Sequence, residues 1–111
     1  MIEEPLHPLI ADPWTYDLIA LDWRLDPRDD RNDTLDLTLR RDGAQRRLRF
    51  IRPHNIKIDR RFHGSLSGFT IVDIRSRQWD DMKVEVKNNE QDPGITFVAA
   101  DLIDLDQVDA K

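Results

Sequence analysis

Residues 34–50 read TLDLTLRRDGAQRRLRF. Leu35, Leu37 and Leu39 alternate with Asp36, Thr38 and Arg40, and after the turn Leu48 and Phe50 alternate with Arg47 and Arg49. A period of two places successive side chains on opposite faces of a strand. Asp42-Gly43 between the two runs supplies the residues that accept positive φ in a tight hairpin. The stretch therefore predicts two antiparallel strands, 34–41 and 45–52, each with an apolar and a polar face.

The same period extends in both directions. Upstream, 16–25 is a strand in which Ile19, Leu21, Trp23 and Leu25 share one face, and this alignment with the core leucines marks Trp23 as a buried core residue. Downstream, strands are expected at 55–59, 69–75, 82–87 and 95–102, and 78–81 is short enough for one helical turn. The breaks between them are rich in turn formers: DPRDDRND at 26–33, the Gly/Ser loop at 64–68 and Pro93-Gly94. Seven short strands with short connections predict an all-β fold, mainly antiparallel, as a sandwich or a partly open barrel. Residues 1–15, with Pro5, Pro8 and Pro13, form an extended N-terminal arm anchored by Trp14 and Tyr16; 16–105 are the domain body, and 106–111 an acidic C-terminal tail.

A chain of 111 residues suits one domain with a single core. It has no cysteine, which removes disulfides, zinc–thiolate sites and thiol nucleophiles. The N-terminal residues lack the basic start and apolar run of a secretory signal, and no apolar run approaches the length of a membrane span. The cytoplasm is the expected compartment.

Charge falls in blocks within a net of −5. Nine basic residues lie between Arg40 and Arg61 against only Asp42 and Asp59. Arg47, Arg49, Lys57 and Arg60 are the candidates for binding phosphate, since cations clustered on one sheet face attract a polyanion. The alternative is pairing with aspartates on neighbouring strands. Interleaved exposed aromatics, usual on nucleic-acid platforms, are missing, because Phe50 falls on the apolar face. Asp26, Asp29, Asp30 and Asp33 form an acidic face suited to a basic protein partner. Their spacing is not that of a calcium loop, so no metal is expected.

His54 and His63, oriented by Asp59 or Asp73, would be the groups for general-base chemistry. Ser65 and Ser67 lie in HGSLSG, without the Gly-x-Ser-x-Gly spacing of a nucleophile elbow. No catalytic residue and no cofactor is expected. Trp79, in SRQWDD, reads either as a surface anchor for a partner or as a cap on the end of the core.

The order of a Trp-bearing first strand, a Leu-x-Leu-x-Leu hairpin, FIRPHNIKI, GFTIVDI and GITFVAADLIDL resembles small bacterial all-β proteins, including immunity proteins of toxin systems. The resemblance covers most of the chain and implies a non-enzymatic, acidic protein that occludes a basic toxin. The sequence thus points to a protein-binding module, with a phosphate-binding β domain as the alternative. An incomplete sheet also leaves open a homodimer by strand addition.

Overall fold

The computed structural model describes residues 5–77, 81–88 and 94–108. Among them, eight strands form two four-stranded antiparallel sheets that do not close into a barrel. The first sheet has the order β1-β2-β3-β8, from Asp17–Arg24 (β1), Thr34–Arg41 (β2), Ala44–Ile51 (β3) and Asp101–Asp104 (β8). The second runs β4-β7-β6-β5, from His54–Ile58 (β4), Ile95–Ala99 (β7), Val84–Asn88 (β6) and Phe69–Asp73 (β5). No helix in the described residues is long and apolar enough to cross a membrane.

The hairpin of β2 and β3 forms as its sequence demands. Asp42 and Gly43 take φ values of 53° and 83°, and Arg41 faces Ala44 across the two-residue turn. Leu35, Leu37, Leu39, Leu48 and Phe50 all point inward and are fully buried. They meet Phe69, Ile71, Val84, Val86, Ile95 and Phe97 of the second sheet in one core. Phe50 and Phe97 touch edge to face, with ring centroids 4.7 Å apart and planes at 89°, the arrangement that ring quadrupoles favour.

One expected strand is really two. Residues 95–102 divide at Ala100 into β7 and β8, which belong to different sheets. Ala100 lies beside the bend that carries β3 into β4, where Arg52 adopts φ 53° and Pro53 is buried. Its N–H donates to the Ile51 carbonyl at 2.8 Å. The ribbon of β3 and β4 therefore runs against that of β8 and β7, and both turn from one sheet to the other at the same corner.

The arm is held along its length. His7 N–H donates to Ile71 and Asp73 N–H donates to Pro5, so 5–7 line the outer edge of β5. Ile10 and Tyr16 are buried, while Trp14 is 39 % exposed; Arg41 stacks 4.4 Å above the Tyr16 ring. Arg46 bonds both the Leu9 carbonyl and the buried carboxylate of Asp104. Burial disfavours the Arg46 charge, yet its bonds to Asp104 and Tyr16 win and raise its pKa. Beyond β8 the chain makes one helical turn, Leu105–Val108, and Asp106 accepts from the Arg47 N–H.

Gly64 sets the contact between the 62–66 loop and β1. It has φ +115°, and its carbonyl accepts from the Leu18 N–H at 2.8 Å. A Cβ there would stand 2.7 Å from the Leu18 carbonyl oxygen, whereas one at Gly43 would meet nothing within 4 Å. Gly64→Ala should therefore cost about 2–4 kcal/mol in a denaturant melt, from backbone strain plus the clash, and Gly43→Ala about 1 kcal/mol, from strain alone. Equal losses would contradict the close approach of Gly64 to β1.

Candidate functional site

The exposed apolar surface is concentrated on one strand. Of the seven large hydrophobic residues exposed among the described residues, Ile19, Leu21, Trp23 and Leu25 lie on β1 or immediately after it. Leu21 stands opposite Leu37 and Trp23 opposite Leu35, so both point to the core side of their sheet. Yet Leu21 is 39 % and Trp23 49 % exposed, while Leu35 and Leu37 are fully buried. The cover supplied by the second sheet ends between β2 and β1. The core position read for Trp23 is thereby corrected: periodicity assigned the right face, but the opposite sheet does not reach under this edge.

A bulge adjusts the strand at its start. Leu18 pairs with Leu39 and Ala20 with Thr38, leaving Ile19 as the extra residue. Phe62, His63 and Gly64 border Leu18–Leu21 and make one wall of a shallow groove. The other face of β1 carries Asp22 and Arg24, bonded to each other at 3.0 Å.

The acidic face begins directly after this stripe, and three of its four carboxylates are engaged within the loop. Asp33 accepts the Asp26 N–H at 2.7 Å; Asp26 accepts from Asn32 and from the Arg28 N–H. Asp29 receives three bonds from the Arg31 guanidinium and one from its backbone N–H, and Asp30 lies 3.3 Å from Arg52 and 3.4 Å from His54. The Asn32 amide and Arg28 backbone hold the Asp26 carboxyl below the usual carboxylate range, and the Arg31 guanidinium does the same for Asp29. Asp26, Asp29 and Asp33 tie the loop to itself, and Asp30 ties it to the bend after β3. Among the described residues no three His, Asp or Glu side chains gather to hold a metal ion.

The cations expected on a common face are divided. β3 and β4 fall in different sheets, so Arg47 and Arg49 project from one outer face and Lys57 from the other. Asp36, directly across the ladder, accepts two bonds from Arg49 at 2.8 and 2.9 Å, and raises its pKa. Arg47 reaches Asp106 at 3.1 Å. Lys57 and Arg60 make no ion pair with another described residue.

The histidines also separate from the groups expected to orient them. His54 faces Asp30, while Asp59 bonds Arg61 and Asp73 bonds Arg75. His63 lines the groove beside β1. Trp79 lies outside the described residues, as does most of the turn expected at 78–81. Comparison with protein-family models, curated proteins and solved structures finds no match for the chain.

Sequence reasoning missed the β1 stripe as a surface. The available signal was position: the first strand of a hairpin series, followed by a long polar loop, belongs at a sheet edge. Exposure has a direct energetic consequence. Trp23→Ser should change stability by under about 1 kcal/mol, whereas Leu35→Ala, at its cross-strand neighbour, should cost about 2–5 kcal/mol. A denaturant titration of both variants checks this, and a comparable loss at Trp23 would place that ring in the core.

Proposed function

We propose that this chain is a non-enzymatic protein-binding module whose contact surface is the apolar stripe of Leu21 and Trp23, flanked by Ile19 and Leu25 and bordered by the acidic 26–33 loop. The observation that carries the reading is the exposure of Leu21 and Trp23 on the core-facing side of β1. Contiguous exposed apolar residues rimmed by polar ones are the usual mark of a protein contact. Tryptophan in particular contributes large buried area to such contacts. Asp26, Asp29, Asp30 and Asp33 supply negative potential at the rim, which favours a partner with basic residues beside its apolar patch. The resemblance to immunity proteins is consistent with that class of partner.

Phosphate binding through Arg47, Arg49, Lys57 and Arg60 is the weaker reading. Two of the four are committed to aspartates, and Lys57 projects from the opposite face.

The test is retention of native-lysate protein by the immobilised full chain, with and without nuclease, at low and moderate salt. A stoichiometric protein should remain after nuclease and moderate salt, survive Arg47→Ala/Arg49→Ala, and fall at least tenfold with Leu21→Ser/Trp23→Ser. Recovery of nucleic acid that salt and nuclease abolish, or retention indifferent to the stripe, would contradict the proposal.

A further inference from the structure

Each sheet has two edges, and an open edge presents unpaired N–H and C=O groups to any other strand. Three of the four edges here are blunted. Residues 5–7 lie along β5 through His7, Pro5 and the Leu6–Val72 bridge. β8 is only four residues long, carries acids at both ends and runs into the helical turn. β4 has five residues, an irregular register between His54 and Lys57, and the exposed charge of Lys57.

β1 differs from all three. It is eight residues long, and the 62–66 loop covers its outer edge only at the Asp17–Ser65 bridge and the Leu18 N–H. Among the described residues nothing pairs with the outer edge from Ala20 to Arg24. The second sheet does not extend under this strand, and beyond the Phe62–Gly64 wall that borders Leu18–Leu21 no described residue pairs with its edge.

We propose that the occupant of this edge is a second copy of the same chain, added antiparallel through β1 with the two-fold axis at Trp23. This rests on the reading of the stripe as a protein contact, and names a second copy rather than a partner of opposite charge as its occupant. The register follows from charge. An axis at Trp23 sets Asp22 opposite Arg24 of the other copy and Arg24 opposite its Asp22, giving two opposite-charge cross-strand pairs on the outer face. An axis at Asp22 would set that carboxylate against its own copy, and an axis at Arg24 would oppose two guanidinium groups. An axis at Leu21 would bring the second strand toward Leu18, where the Gly64 loop already sits.

On the inner face the same register sets Trp23 against Trp23 and Leu21 against Leu25 of the other copy. The exposed stripe thus becomes cross-strand apolar pairs, and the sheet becomes a continuous eight-stranded one, β8-β3-β2-β1-β1-β2-β3-β8.

Because the chain has no cysteine, the register can be read by disulfide trapping. Residues on the axis have Cα atoms about 4.5–5.5 Å apart, within disulfide reach, whereas Leu21 stands about 13 Å from its own copy. In a glutathione buffer Trp23→Cys should cross-link to a dimer. Leu21→Cys alone should remain uncross-linked, but should cross-link when mixed with Leu25→Cys.

Sedimentation velocity of the purified full chain, from micromolar to millimolar concentration, should show a species of twice the chain mass. Asp22→Arg or Arg24→Asp alone should weaken the dimer at least tenfold, and the double exchange should restore it. Asp22 and Arg24 are both exposed, so circular dichroism should show unchanged folding. A monomer at every concentration would overturn the proposal, as would equal cross-linking of Leu21→Cys and Trp23→Cys alone. A monomer that still retains a different lysate protein through Leu21 and Trp23 would overturn the second copy and leave the protein-binding reading standing.

Discussion

Two neighbouring ribbons turn a single corner together, and that shared turn organises the fold. At Ile51–Pro53 the chain leaves the first sheet for the second, and at Ala100 it makes the return journey. The bond from the Ala100 N–H to the Ile51 carbonyl joins the two crossings. Phe50 and Phe97 lie just before these crossings and meet edge to face across the core. Packing one turn tightly against the other clamps the sheets face to face at β3 and β7, next to which β2, β6 and β5 fill the interior.

A sandwich clamped in this way need not be covered to its rim. On the first sheet β8 and β3 sit at the corner, β2 is covered, and β1 is the strand farthest from the clamp. Its core-facing Leu21 and Trp23 stand opposite Leu37 and Leu35 but remain half in water. The ion pairs distributed over the two outer faces serve a different purpose. Arg49 with Asp36, Arg47 with Asp106 and Arg75 with Asp73 convert a chain of blocks of opposite charge into a locally neutralised surface. Arg46 with the buried Asp104 is the stronger tie, since it fixes the arm and β8 to β3 at once.

Local structure was legible wherever the deciding residues were neighbours in sequence. The Leu-x-Leu-x-Leu run and Asp42-Gly43 specify β2, the turn and the register of β3, and β2 spans the expected 34–41. The split of 95–102 was hidden because Ala99, Ala100 and Asp101 include no glycine, proline or asparagine; the backbone specialisation of that corner sits on the other ribbon, at Arg52 and Pro53. The exposure of Trp23 was hidden for a related reason. Alternation reports which side of its own sheet a residue occupies, and the reach of the opposite sheet depends on strand order. The pairing of Arg47 and Arg49 with Asp106 and Asp36 likewise depends on which strands become neighbours.

From Ala20 to Arg24 the outer edge of β1 has no partner among the described residues, and its apolar side is half in water. Hydrogen exchange of the full chain, resolved by residue and measured in dilute and concentrated solution, reads that edge amide by amide. The outward-facing amides between Ala20 and Arg24 should exchange far faster than those of β2 when dilute, and become protected as concentration rises. Protection in dilute protein equal to that of β2 would show that the chain covers this edge itself, and would contradict the account.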